Sequence, residues 1–334
     1  MDIDKFVVCA RELYGAGFIP LHRPVFDGHE RQYLVDCIDS NFVSSVGKKV
    51  TDFENKVAEF VGAKHAIAMV NGTAALHISL ILAGVKPGDE VISQALTFIA
   101  TCNAITYSGA IPVFVDVDLD TMGMSPSALA MFLELHAEKR NGSAFNKITG
   151  RRISACVPMH TFGLPCRVEE IVVICAEWGI EVIEDAAESL GSYVGKRHTG
   201  TFGRMGTLSF NGNKFITTGG GGMLVTDDTE LAERARHIST TAKVPHPYEF
   251  VHDEIGYNYR MPNLNAALGC AQMERLGEIL AAKRHISGKW KYFFHTQGVA
   301  FALPLEGTTC NYWLNAVILE SKDERDEFLT TSNA

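Results

Sequence analysis

Between about residues 50 and 240 one unit repeats along the chain: a short apolar run, then a stretch with apolar residues at helical spacing. The runs fall at residues 66–70, 90–94, 111–117, 155–159 and 180–185, and the helical stretches at 72–83, 98–108 and up to Trp178. A strand apolar on both faces must be covered on both, and parallel strands need a crossover, usually a helix. The repeat therefore predicts an α/β fold whose mostly parallel sheet lies between two helical layers. A further strand at 222–226 and a helix near 229–239 extend it, and the polar stretch 138–152 reads as a surface insertion.

Beyond residue 240 the texture changes. Residues 242–252, with Pro245 and Pro247, predict an exposed crossing; a long helix over 263–295 and a strand over 312–319 follow. This predicts a large domain of residues 26–245 and a small domain of 1–25 plus 246–334. Residues 323–331 begin a helix shortly before the chain stops at Ala334. One strand and half a helix are too little to bury the apolar face of a small domain, so a truncated C-terminal α/β domain is expected.

With 46% apolar residues in 334, the chain can fill such a core. A net charge of −9 supplies no basic footprint for nucleic acid, and an anionic ligand has to be held by local donors. The eight cysteines are scattered without a Cys-x-x-Cys pair, which predicts no metal site and reduced thiols. No apolar run reaches the roughly 18 residues of a membrane span, and the N-terminus has no apolar leader. A cytoplasmic protein with neither membrane nor nucleic-acid partner is expected.

In open parallel sheets ligands bind beyond the carboxyl ends of the strands, and several polar groups fall there. Asn71, Gly72 and Thr73 join a strand to a helix, where backbone N–H groups and a hydroxyl suit an anion, though a plain capped joint has the same look. Ser209 and Asn211 share one face by period two, either as phosphate donors or as an ordinary half-buried strand. Asp185 closes an apolar strand, as a partner for a protonated pyridine nitrogen or as a helix cap.

Lys214 lies before four glycines, Gly219 to Gly222. An amine that attacks an aldehyde must be neutral, which costs a free lysine roughly 4–5 kcal/mol at pH 7. The alternative, a solvated loop lysine, is weakened by the glycines, whose conformational cost reflects special dihedrals or close backbone approach. Phe98 is a stacking ring or a core aromatic; His160 lines the pocket or is a hydrogen-bonded structural histidine.

Together with Phe53–Glu54, Thr97 to Thr101, Glu184–Asp185, Glu188 and the stretch from Gly256 through Asn258 and Arg260 to Met261, these residues make the sequence similar to the DegT/DnrJ/EryC1/StrS family of nucleotide-sugar aminotransferases. The resemblance implies a fold-type-I aminotransferase with a seven-stranded sheet, pyridoxal 5'-phosphate as cofactor, and a homodimer sharing its active sites. It implies Lys214 as the covalent, catalytic lysine and Asp185 as the partner of the ring nitrogen. Gly72, Thr73, Ser209 and Asn211 then face the cofactor phosphate, Phe98 stacks on the ring, and Asn258 reaches across from the other subunit. Glu188, where many members carry His or Gln, His160 and Arg260 are expected to contact substrate.

The stretches 18–24 and 41–48 resemble the branch that makes legionaminic acid and bacillosamine-type sugars. That branch implies glutamate as donor and a UDP-linked 4-keto-6-deoxy-N-acetylhexosamine as acceptor at C4; a GDP-perosamine-type synthase is the alternative. Sugar dehydration is disfavoured because the related dehydratases carry His where this chain has Lys214. A pyridoxal-phosphate-binding protein without turnover is the rival from another class. A nicotinamide dehydrogenase needs Gly-x-Gly-x-x-Gly after the first strand, which residues 71–76 do not supply.

Overall fold

A computed structural model describes residues 1–333. Three helices open the chain, α1 (Ile3–Tyr14), α2 (Glu30–Asp39) and α3 (Lys48–Val61). The repeating unit runs through β1 (His65–Met69), α4 (Gly72–Leu82), β2 (Glu90–Gln94), α5 (Ile99–Tyr107), β3 (Ile111–Val115) and α6 (Pro126–His136). Local chemistry sets the boundaries. The Asn71 side chain accepts from the Ala74 N–H to cap α4, Ser125 caps α6 ahead of Pro126, and Gly62 at φ +74° ends α3.

The stretch 138–152 is more than a surface insertion: most of it is a hairpin, β4 (Ala137–Arg140) and β5 (Ser143–Asn146), whose second strand pairs antiparallel with β6 (Arg152–Val157). A buried carboxylate ties it down, because Glu90 takes hydrogen bonds from Asn146 and Thr149. Next come α7 (Val168–Trp178), β7 (Glu181–Asp185), a ribbon of β8 (Tyr193–Val194) and β9 (Arg197–His198), then β10 (Met205–Ser209), β11 (Gly222–Thr226) and α8 (Thr229–Ser239).

The sheet order is β1-β11-β10-β7-β6-β2-β3, and the hairpin brings the sheet to nine strands. All neighbours along the seven-strand path are parallel except those of β11, which is antiparallel to both β1 and β10. Both faces are covered, as the apolar runs require. Ile67 and Ile183 point to α4, α5 and α8, whereas Ala66, Ala68 and Val182, one residue away, face α3, α7 and the later helix Asn263–Glu274.

The C-terminal region holds α9 (Asn263–Glu274), α10 (Leu276–Thr296), β12 (Ala300–Phe301), β13 (Thr308–Thr309), β14 (Val317–Ile318) and α11 (Lys322–Ser332). The single helix expected over 263–295 is two, broken at Arg275, whose guanidinium pairs with Asp27 and Glu278. The strand expected over 312–319 shrinks to β14, because Tyr312 sits at φ +54° and turns the chain. Residues 1–14 join the C-terminal helices: Phe6 packs on Trp290 at 5.2 Å and Phe328 at 4.8 Å, and Trp290 Nε1–H donates to Tyr14. By contrast α9, placed by sequence in the small domain, packs on α2 and α3 and shares their core.

At the centre of that core Phe53 is fully buried, edge-on to Phe210 at 4.9 Å; Gly269 of α9 lets it in, since a Cβ there would stand 2.7 Å from its ring. Phe53→Ala is expected to lower stability by about 3–5 kcal/mol, read as a fall in the denaturation midpoint with an unchanged slope.

Candidate functional site

The carboxyl ends of β1, β10, β7, β6 and β2 and the start of β11 meet along one edge of the sheet. Asn71 caps α4 there, so the first N–H groups of an 11-residue helix point outward with no partner inside the helix. Gly72 is buried against Ser209, and a Cβ on it would lie 3.1 Å from the Ser209 Cβ and 3.3 Å from its Oγ. Gly222 packs closer still: a Cβ there would stand 2.3 Å from the Asn71 carbonyl carbon. Gly72 and Ser209 thus pack together at the mouth of α4, with Thr73 next along the helix. Asn211 lies beyond the end of β10. The strand ends at Ser209, the Phe210 N–H turns to Gly221, and the exposed Asn211 amide bonds Asn213 at 3.1 Å.

Lys214 follows in a tight turn, its backbone N–H on the Asn211 carbonyl at 2.9 Å. Its side chain is only 11% exposed. The Nζ donates to Glu188 Oε1 at 3.3 Å, under the Trp313 ring at 4.1 Å and within 5.9 Å of the Phe98 ring. Trp313 Nε1–H bonds the carbonyl of Asn213 at 2.7 Å, so one indole both covers the amine and pins the loop that carries it. Phe98 is 60% exposed, an aromatic face open to a ligand.

Glu188 is buried, and its other oxygen accepts the Phe162 N–H at 2.8 Å. Burial pushes its carboxyl above the ordinary range, Lys214 pulls it back, and Asp185 adds to the rise. Asp185 accepts from the Thr101 hydroxyl at 2.6 Å and the Ala187 N–H at 3.2 Å. No side-chain cation within the described residues pairs with it, although it is 3% exposed. A buried carboxylate held only by neutral donors suits a cationic ring nitrogen.

The neighbouring carboxylate faces the other way. Glu184 is fully buried, collecting His160 Nε2–H at 2.9 Å and the N–H groups of Gly200, Phe202 and Gly203. His160 Nδ1 accepts the Cys166 N–H at 3.2 Å, so both ring nitrogens are engaged. His160 is therefore corrected to a structural residue, with no atom open to the crevice. Arg260 pairs through Nη2 at 2.9 Å with Glu54, which holds the Ala68 N–H of β1, while its Nη1 is buried without a partner among the described residues. Asn258 is exposed and bridged to Thr240.

Trp313, Thr101 and Asn311 escaped the sequence reading. Thr101 lies in the first turn of α5 and takes a hydrogen bond from Thr97, just before the cap, a local signal; the Asn311 amide binds the Glu188 and Leu190 carbonyls and, like Trp313, arrives from 100 or more residues away without one. His237, Asp253 and Glu254 bring ligand atoms within 4.8 Å, but Arg234 already ion-pairs with Glu254, as in a surface charge cluster.

A buried lysine, a cation-free carboxylate, an anion cradle and an open aromatic at one edge of this sheet fit pyridoxal phosphate and define a fold-type-I enzyme of that cofactor. The DegT/DnrJ/EryC1/StrS aminotransferase family model matches residues 24–334. The chain is 42% identical over 304 residues to EpsN of Bacillus subtilis (strain 168), covering 91% of this chain and 76% of that one. It is 39% identical over 310 residues to a GDP-perosamine synthase of Escherichia coli O157:H7, covering 93% and 80%. The solved aminotransferase TlmJ of Streptoalloteichus hindustanus superposes with a TM-score of 0.84 at 30% identity, over 93% of this chain and 81% of that one. The chain belongs to the DegT/DnrJ/EryC1/StrS aminotransferase family, and it is a pyridoxal-phosphate-dependent nucleotide-sugar aminotransferase.

Burial alone would raise the Glu184 carboxyl above 4.5, but its donors, His160 first and then Gly203 and Gly200, outweigh that and hold it lower. A depressed carboxyl adds stability that is present above the ordinary value and lost as pH falls through the folded one. Glu184→Gln should cost about 1.5–3 kcal/mol at neutral pH. The difference from wild type should shrink below pH 4.5, as read by denaturant unfolding across pH.

Proposed function

We propose that the chain transfers the amino group of glutamate to the C4 keto group of a UDP-linked 4-keto-6-deoxy-N-acetylhexosamine, with Lys214 and Asp185 as its catalytic residues. The observation that carries the catalytic half is the buried Lys214 amine beside Glu188, under Trp313 and next to Phe98. The sugar half is supported by the stretches 18–24 and 41–48, which resemble the branch serving such sugars.

In this reading Gly72, Thr73 and Ser209 hold the cofactor phosphate, Phe98 stacks on its ring, and Asp185 keeps the ring nitrogen protonated. The bound cofactor supplies an electron sink for the carbon that loses its proton. Lys214 Nζ is the attachment point and then the base: it takes the proton from the amino-bearing carbon of glutamate and, in the second half, delivers one to C4 of the sugar. The half-reactions balance, glutamate leaving as 2-oxoglutarate and the ketone as an amine. Glu188 lies within reach to accept and return a proton at Nζ.

A homodimer completes the reading. Large apolar side chains at Phe18, Leu21, Val46, Tyr248 and Ile255 are about 80% exposed or more, as expected of a face that a second copy covers. The exposed Asn258 then serves the partner's site. A cytoplasmic setting, supported by eight free cysteines, belongs to the same proposal; no described helix is long and apolar enough to cross a membrane.

A GDP-linked acceptor is the second reading, favoured by the 39% identity to a protein named GDP-perosamine synthase. Mass spectrometry of products from UDP- and GDP-linked 4-keto-6-deoxy sugars with glutamate decides between them; an amino-sugar from the GDP compound alone overturns the first reading. Lys214→Ala is expected to abolish turnover and leave the cofactor releasable by dialysis. Mixing that variant with Asn258→Ala chains should restore part of the activity through hybrid dimers, and no restoration would overturn the shared site.

A further inference from the structure

Trp313 has a second partner beyond the lysine loop. Its backbone carbonyl accepts a hydrogen bond from Lys283 Nζ at 3.1 Å, so Lys283, on α10, touches the residue whose ring covers Lys214. Lys283 is half-buried, and among the described residues no carboxylate lies within ion-pair distance of it. An ammonium offers three donors, and one neutral carbonyl uses only one. His22, from the N-terminal segment, lies close enough for the Lys283 charge to act on it, and its Nδ1 is buried without a partner.

Taking an ammonium partly out of water with no opposite charge is costly, and the cost is met when an anion arrives. Burial accordingly pushes Lys283 down to about 8, and burial with the neighbouring Lys283 pushes His22 down to about 4. Both shifts are those of basic groups that lack a counter-charge. In a chain of net charge −9, an anionic substrate needs such a local donor.

We propose that Lys283, with His22 beside it, forms an anion subsite next to Lys214 that receives an oxyanion of a substrate. The anion is either the diphosphate of the nucleotide sugar or a carboxylate of the amino donor, and the proposal rests on the aminotransferase reading above. Lys283 is a binding residue here; its hydrogen bond to the Trp313 carbonyl holds it on the residue whose ring covers Lys214.

The test uses the full chain with cofactor bound, as wild type, Lys283→Met and Lys283→Arg. Calorimetry with UDP and with GDP reads the diphosphate arm. The glutamate half-reaction, followed by the cofactor's spectral change against glutamate concentration, reads the carboxylate arm. Lys283→Met should weaken one arm at least tenfold while Lys283→Arg stays within about threefold, and the arm affected names the anion. Equal values for wild type and a folded Lys283→Met in both arms overturn the proposal, leaving Lys283 as a prop for Trp313. A wild type that binds neither nucleotide and does not react with glutamate overturns the substrate reading and this proposal with it. If Lys283→Met does not fold, acetylation of wild-type Lys283, mapped by mass spectrometry, decides. Protection by UDP, GDP or glutamate supports the subsite, and equal labelling with and without them overturns it.

Discussion

The reversal of β11 is the constraint on which the crevice depends. Every other neighbour along the main path is parallel, and a parallel connection would carry the chain through a crossover to the far edge of the sheet. Because β11 runs antiparallel to β10, residues 210–221 close a loop at the carboxyl edge itself, with Ser209 opposite Gly222. Lys214 is thereby fixed above the sheet edge between two strands. The same reversal sets Gly222 beside Met69, so that β11 packs directly behind the first turn of α4. The glycines are a steric consequence: a Cβ on Gly221 would lie 2.2 Å from the Thr218 hydroxyl, and one on Gly222 would strike the Asn71 carbonyl.

Three carboxylates crowd this edge, and their donors separate their roles. Glu184 is saturated by His160 and three backbone N–H groups, so it stays charged and locks the loop at 200–203 behind the sheet. Asp185, pointing the other way by strand alternation, has only neutral donors and keeps capacity for a cation. Glu188 accepts a hydrogen bond from Lys214, and on its carboxyl the rise from burial outweighs the pull of the lysine. The C-terminal segment acts on the same cluster: the Asn311 amide binds the Glu188 and Leu190 carbonyls, and Trp313 closes over the lysine.

Much of this was legible in the chain. Both-face apolar runs demanded a covered parallel sheet, and the residues at strand ends, Gly72, Asp185, Ser209 and Lys214, were readable because period two and turn chemistry are local properties. Lys214 alone had the look of a solvated loop lysine; its position among four glycines and beyond the strand ends gave it weight. Extrapolating period two past Ser209 failed at Asn211, since a strand ends where its hydrogen-bond partner turns away, not where its pattern stops. His160 had the right chemistry for substrate, but its ring is occupied by a buried carboxylate from another strand, Glu184, whereas Arg260 spends one nitrogen on Glu54 and keeps another unpartnered.

The sequence by itself thus determined the layers, most of the strand boundaries and the chemical types gathered at one edge, because backbone propensity, apolar periodicity and capping act over a few residues. Only the tertiary structure decided which of those groups are free to act. Whether a carboxylate is saturated or open, whether a lysine is solvated or roofed by Trp313, and whether Lys283 has a counter-charge depend on contacts between residues that lie up to about 260 positions apart. Pairwise electrostatics and packing at that separation have no period and no local signature for a linear reading to find.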